Sequence, residues 1–246
     1  MLDHLPTIQT SLERILSKRI EKAHSILAII KTSSIYSTSG ELDSVNGLEK
    51  DLTSYGQASS QYFDILCRYL QMASDRKNLL KDGKHSIKKT AYAVMRSFTQ
   101  NLDIDKVDRR KISSHYSLIY AQNRLAAPYD FAKPSYGTKM SEYLRANSVL
   151  LLNFKEMVEM VGKYVPPIPI APYSTAHCHL LILEAERLDK EINQLIEKSY
   201  SLYVIRIGLF DLIKQRCASI CNQSRFIFGA NSSQYKQIKR FKLSIV

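Results

Sequence analysis

A basic, helix-forming stretch at residues 76–112 recurs faintly about 130 residues later in the chain. The two copies align without gaps when Arg76 is placed opposite Arg206. That alignment also pairs Lys84 with Lys214, Phe98 with Phe228, Asn101 with Asn231, Lys106 with Lys236, and Arg110 with Arg240. A repeat near half the chain length predicts two similar structural units. We therefore expect one domain at residues 1–130 and a second at residues 131–246.

The residue composition indicates that both units are helical. Glycine (8) and proline (7) are scarce among 246 residues, whereas a sheet protein would need turn residues at short intervals. Apolar side chains recur every three or four positions, as in Ile8, Leu12, Ile15, Leu16, Ile20, Ala23, Leu27 and Ile30. Short connections between such helices make neighbours antiparallel. The predicted fold is all-α: two tandem antiparallel up-and-down helical bundles from an internal duplication, the first with a connector and the second with a C-terminal tail.

The second predicted helix is about 35 residues long, with a heptad-like apolar seam interrupted by Ser59 and Arg76. The dipeptide at 82–83, Asp-Gly, is expected to stop or bend it. In the second unit, Gly208 marks a weak point in the corresponding seam. We expect a separate last helix at residues 211–228, followed by a glycine stop.

The basic charge is concentrated in the repeated segments. The whole chain has 35 Lys/Arg and 23 Asp/Glu, and residues 76–112 alone hold eleven Lys/Arg and four acids. Residues 201–246 hold eight Lys/Arg and one acid. Such segments can bind phosphates in a salt-dependent manner that ignores sequence. The candidate polyanion-binding residues are Lys84, Lys88, Lys89, Arg96, Lys236, Lys239, Arg240 and Lys242. The alternative reading is that these cations serve solubility and the C-terminal ends of helices.

Two sets of side chains have the residue types of metal sites. Glu21 and His24 share a helical face as in di-iron bundles, but those sites need a second Glu-x-x-His pair, which the sequence lacks. The other set offers zinc-type ligands: His177, Cys178, His179, Cys217 and Cys221. Its two histidines lie two positions apart and point to nearly opposite sides of a helix. Its last two cysteines are in phase with apolar neighbours, so burial explains them. We expect no metal and no cofactor.

Neither a glycine-rich phosphate loop nor a nucleophile elbow is present, and nothing in the sequence favours an enzyme. No run of eighteen apolar residues exists, so a membrane-spanning helix is not expected. The first residues lack the features of an export signal. Four scattered cysteines are too few for a disulfide framework, which favours a reducing cytoplasm.

The C-terminal region carries a resemblance. The segment Phe228-Gly229-Ala230-Asn231-Ser232-Ser233-Gln234-Tyr235-Lys236-Gln237-Ile238 resembles the end of a group of uncharacterised bacterial paired helical-bundle proteins, which have a Phe-Gly-Ala-x-Ser-x-x-Tyr-Lys-Gln motif. The resemblance implies a fold and no activity. We interpret Tyr235 and Phe241 as docking residues that close the bundle. The sequence as a whole predicts a non-enzymatic structural or interaction module with a protein partner, and binding of nucleic acid or another polyanion is the alternative.

Overall fold

The computed structural model of the protein describes residues 11–38, 40–121, 136–165 and 168–241, and it is all-helical. No β-strand occurs within these ranges, and the predicted all-α class is confirmed. In chain order the helices are α1 (Ser11–Thr32), α2 (Val45–Lys77), α3 (Ile87–Gln100), α4 (Lys106–Ala121), α5 (Tyr136–Gly162), α6 (Thr175–Phe228) and α7 (Ser233–Arg240). The last residues of α2 lead into a π-helical turn, Asn78–Asp82. None of the helices in the described ranges is long and apolar enough to cross a membrane.

Glycines end the long helices where the sequence predicts. The N–H of Gly83 donates to the carbonyl oxygen of Asn78 at 2.8 Å, which closes the π-helical turn after α2. Gly229 follows α6 with a φ angle of 83°, in the left-handed region that glycine adopts without a steric penalty. The chain then starts α7, whose N-cap Ser232 accepts a hydrogen bond from the N–H of Tyr235 at 3.1 Å.

The expected separate helix at residues 211–228 is wrong, because α6 runs through Gly208 as one helix of 54 residues. A Cβ atom added at Gly208 would meet nothing within 4 Å, so the position is an ordinary exposed site on the helix. A single glycine inside a helix costs only about 1 kcal/mol relative to alanine. The apolar seam continues on both sides, where Leu195, Phe210 and Ile213 are buried. Packing along that seam outweighs the cost of the glycine.

The chain divides into two compact units. The terminal unit comprises Met1–Asp64 together with Ser199–Val246, and the central unit is the continuous segment Ile65–Lys198. Helices α2 and α6 each contribute one part to the terminal unit and the other part to the central unit. The division therefore does not coincide with the predicted boundary at residue 130. Apolar seams that run on along two long helices are the physical reason for the difference.

The core of the terminal unit is formed by α1, α7, the first part of α2 and the last part of α6. Its most deeply buried side chains include Ala23, Ile26, Ile30, Leu48, Ile213 and Ile220. Ile238 of α7 is also fully buried, and Phe241 packs against the same cluster. Apolar contacts thus hold the C-terminal helix in place, and Ile238, which the sequence analysis did not single out, is its most buried residue.

The core of the central unit combines α3, α4, α5, the first part of α6 and the π-helical turn that follows α2. Its fully buried side chains include Ile87, Val94, Phe98, Ile112, Ile119, Leu150, Phe154 and Met157. These positions follow the three-and-four spacing of amphipathic helices. The cluster fixes α3 and α4 against α5 and determines which of their side chains face solvent.

Among the described residues, two arginines are exposed by 2% or less, one in each unit. Arg206 is 2% exposed; its terminal nitrogens donate to the carboxylate of Glu13, and its Nε donates to Ser59 Oγ at 3.1 Å. Arg76 is 1% exposed, and its Nε lies 2.8 Å from Asp189 Oδ1. A buried charge is tolerated when an opposite charge compensates for the loss of water. In each unit, a carboxylate from a different helix meets this requirement.

Candidate functional site

Helices α3 and α4 form a hairpin in the central unit. Asn101 stabilises the turn between them, since its side-chain oxygen accepts a hydrogen bond from the N–H of Asp103 at 3.0 Å. Ile104 of the same turn is buried and anchors it to the core. The apolar sides of the two helices face the core through Val94, Phe98, Ile112 and Ile119. The remaining sides of the hairpin carry seven Lys/Arg against three Asp/Glu over residues 87–121.

An open groove of about 560 Å³ lies on the hairpin surface, and we call it the basic groove. Its lining consists of Thr99 from α3 and of Lys106, Arg109, Arg110 and Ser113 from α4. The α4 residues are spaced at i, i+3, i+4 and i+7, so they share one face of the helix. Three cationic side chains therefore converge on one concave surface.

Arg109 is the most unusual residue of the basic groove. Its Nε atom is buried and has no hydrogen-bond partner among the residues that the structure describes. A buried N–H donor without an acceptor costs about 1–3 kcal/mol. The Nε donor is therefore unsatisfied inside the fold, while the same residue lines the basic groove, where an anionic oxygen is a favourable acceptor for a guanidinium.

The nearest acidic residue of α4 is engaged elsewhere. Asp108 Oδ2 accepts a hydrogen bond from the hydroxyl of Tyr164 at 2.7 Å, and Asp108 Oδ1 lies 3.8 Å from Lys111 Nζ. The hydrogen bond to Asp108, reinforced by burial and by the charges of Asp108 and Asp105, raises the pKa of Tyr164 to about 12. Holding Asp108 against Tyr164 leaves the Arg109 side of α4 with its positive charge.

The structure separates the predicted residues of the first basic segment. Lys84, Lys89 and Arg96 are exposed, and Arg96 lies one turn before Thr99 on α3 and thus near the basic groove. Lys88 has a defined contact instead: its Nζ donates to the carbonyl oxygen of Tyr120 at 3.3 Å. It also lies 4.2 Å from the centroid of the Tyr120 ring. Lys88 therefore neutralises the C-terminal end of α4.

The predicted residues of the second basic segment lie in the other unit. Lys236, Lys239 and Arg240 are exposed on α7, the last two in its final turn, where cations interact favourably with the helix dipole. Lys242 lies outside the described residues. The structure therefore places the two predicted sets in different units, each on its own helices.

The zinc-type residues are dispersed. Cys217 and Cys221 are buried in the core of the terminal unit, and Cys178 is buried in the core of the central unit. Burial raises the pKa of Cys217 to about 12 and that of Cys178 to about 11, so neither thiol ionises near neutral pH. His177 stacks on Tyr173 at a centroid distance of 5.1 Å. Within the described residues, no three His, Cys, Asp or Glu side chains cluster closely enough to hold a metal ion.

The chain matches no protein-family model, and comparison with curated proteins and with solved structures finds no significant similarity.

Sequence reasoning counted Lys106, Arg109 and Arg110 within the basic segment but did not choose them as site residues. The spacing of these residues could have indicated the site. Three cations at i, i+3 and i+4, followed by Ser113 at i+7, share one face of a helix. Charge density alone favoured Lys84 and Lys88, which lie nearer the start of α3. The turn at residues 101–105, which places Thr99 beside α4, was the missing information.

Proposed function

We propose that the protein is a non-enzymatic interaction module that binds a phosphate-bearing polyanion in the basic groove. The observation that carries the proposal is the convergence of Lys106, Arg109 and Arg110 on the lining of one open groove. A guanidinium offers planar, paired donors that fit the oxygens of a phosphate. Because the groove is open and shallow, it suits a chain that lies along the surface better than a small molecule that is enclosed.

A second proposal concerns the origin of the architecture. The shift of 130 residues that places Arg76 opposite Arg206 also places Ser59 opposite Asp189. In the terminal unit Arg206 contacts Ser59, and in the central unit Arg76 contacts Asp189. The two contacts thus join positions that correspond under the shift, which supports an internal duplication. Each copy would then contain one long helix, α2 or α6, that is divided between the two units.

Four cysteines are free, three of them buried. Reduced thiols support a cytoplasmic location, which we propose on this ground alone. A protein partner remains compatible with the basic groove, because acidic protein segments carry the same sign of charge as phosphates.

The experiment that tests the groove is retention on a phosphate-bearing matrix across a series of salt concentrations. A triple variant, K106A/R109A/R110A, removes the cations of the groove. The matched control, K236A/K239A/R240A, removes the same charge from α7. We expect the wild type and the control to elute at similar salt, and the groove variant to elute at much lower salt, because each lost phosphate contact weakens the salt dependence.

Two results would contradict the proposal. Equal losses in both triple variants would show that net charge, and not the groove, governs retention. A wild-type protein that is not retained even at low salt would remove polyanion binding altogether. Far-UV circular dichroism on all three proteins establishes that the substitutions leave the helices intact.

A further inference from the structure

The basic groove continues into a row of tyrosines on the same hairpin, and we call this row the tyrosine row. Tyr92 of α3 is 49% exposed and Tyr120 of α4 is 63% exposed. Tyr116 lies between them, with ring centroids 5.9 Å from Tyr92 and 6.1 Å from Tyr120. Large aromatic side chains left this open to solvent are candidates for contact with a partner.

The helical geometry places the groove and the row on one continuous face. Along α4, Arg109, Ser113, Tyr116 and Tyr120 follow one another at steps of four, three and four residues, which keeps them on one side of the helix. At a rise of 1.5 Å per residue, the distance along the helix from Ser113 to Tyr116 is about 5 Å, and from Lys106 to Tyr120 about 21 Å. Cations and aromatic rings therefore adjoin one another over a length that several nucleotides can cover.

Lys88 organises the aromatic end of this face. Its ammonium group lies 4.2 Å from the ring centroid of Tyr120 and is hydrogen-bonded to the carbonyl oxygen of the same residue. These two contacts hold the ring of Tyr120 in one orientation at the surface. They also add a positive charge beside the tyrosine row, where a phosphate that follows a stacked base would lie.

Resting on the proposed function, we infer that the polyanion is single-stranded nucleic acid, with phosphates along the basic groove and bases stacked on Tyr92 and Tyr120. Exposed aromatic rings beside a cationic track are the combination by which proteins bind single strands without reading sequence. A duplex keeps its bases stacked inside and offers no faces to the tyrosines. Inorganic polyphosphate would use the groove and leave the row without a role.

The test measures the affinity of the protein for four probes at one salt concentration, either directly with a fluorescent label or by competition. The probes are an oligo-dT strand, a duplex of equal length, an abasic strand, and inorganic polyphosphate. The variant Y92L/Y120L removes both stacking surfaces and retains apolar bulk, with Y200L, an exposed tyrosine of α6, as its control. Stacking accounts for about fivefold or more in affinity per base. We expect Y92L/Y120L to weaken oligo-dT binding by about 25-fold and to leave polyphosphate binding unchanged.

The outcomes separate the two proposals. Equal affinity for the strand, the duplex and the abasic strand, unaffected by Y92L/Y120L, would overturn the single-strand inference and leave the polyanion groove standing. Failure to bind any of the four probes, polyphosphate included, would overturn the groove itself. Vesicles rich in phosphatidylserine serve as a further, separate probe, and binding to them in preference to oligo-dT would assign the face to a membrane surface and also overturn the inference. Melting temperatures equal to that of the wild type exclude misfolding as the cause.

Discussion

Arg206 donates hydrogen bonds from its two terminal nitrogens to the two carboxylate oxygens of Glu13, at 3.0 and 2.8 Å. The guanidinium carbon also lies 4.6 Å from the ring centroid of Tyr62 and 5.1 Å from that of Phe63. Desolvation alone would lower the pKa of Arg206. Hydrogen bonds to Glu13 and Tyr55, together with the charges of these two residues, raise the pKa instead, so Arg206 stays charged. A fixed, buried cation thus ties α1 to α6 inside the terminal unit.

Removing one member of this pair is expected to destabilise the protein strongly. E13A leaves the guanidinium of Arg206 buried without its carboxylate, at a cost of about 3–5 kcal/mol. The double variant E13L/R206M should recover most of that loss, because an apolar pair of similar volume avoids the buried charge. Urea unfolding followed by circular dichroism measures both.

The control for this cycle is R187A, which removes the exposed pairs of Arg187 with Glu184 and Glu191. Surface pairs contribute about 0–1 kcal/mol, so this variant should unfold almost as the wild type does. A double variant as unstable as E13A would show that the pair is not the source of the effect.

Two glycine substitutions should act in opposite directions. G208A should raise the free energy of unfolding by about 0.5–1 kcal/mol, since alanine fits inside α6 and has the higher helix propensity. G229A should lower it by about 1 kcal/mol or more, because alanine resists the φ angle of 83° after the helix. Thermal unfolding of both variants checks the signs. Stabilisation by G229A would contradict the assigned helix stop.

Alkaline pH should destabilise the terminal unit through Cys217. Burial first, and then the neighbouring Cys221, raises the pKa of Cys217 from its ordinary value of 9.0 to about 12. Above pH 9 the unfolded chain loses this proton and the folded chain keeps it, so stability falls as pH rises from 9 towards 12. Each pH unit in that window costs about 1 kcal/mol.

The measurement is urea unfolding at pH 8, 9 and 10 for the wild type and for C217A. The variant should lose less stability between pH 9 and 10 than the wild type does. Identical pH dependence in the two proteins would show that Cys217 does not retain its proton in the folded state. Cys67, which is only partly buried, offers C67A as the matched control.

The central unit should fold as an isolated fragment. Residues 65–198 are continuous in the chain and contain a complete apolar cluster, together with the Arg76–Asp189 pair. We expect this fragment to be helical and to unfold cooperatively, whereas residues 1–64 alone should remain largely unfolded, because the core that covers them includes Ile213 and Ile220. Circular dichroism with urea titration of each fragment decides the matter.

The sequence predicted the helices well, because three-and-four periodicity and the glycines at 83 and 229 are local signals. It also marked Ser59 and Arg76 as breaks in an otherwise apolar seam, and both make polar contacts with α6 in the structure. Their partners, Arg206 and Asp189, are more than a hundred positions away, and no local pattern gives such distances. The pairing of helices into units therefore could not be predicted from periodicity alone.

The candidate site was predictable in kind but not in place. Net charge pointed to the segment at 76–112, which supplies four of the five residues that line the basic groove. Which cations converge depends on the turn between α3 and α4 and on Asp108 bonding Tyr164, 56 residues further along the chain. The tyrosine row was hidden for a similar reason, since Tyr92 meets Tyr116 only when the hairpin closes.

The discontinuous terminal unit has a consequence for synthesis on the ribosome. Translation runs from the N-terminus at about 5–20 residues per second, and domains fold as units once they are complete. Ile26 and Leu48 emerge early, but Ile213, Ile220 and Ile238, which share their core, are made last. Helix α1 and the first part of α2 therefore keep their apolar faces uncovered for many seconds during synthesis.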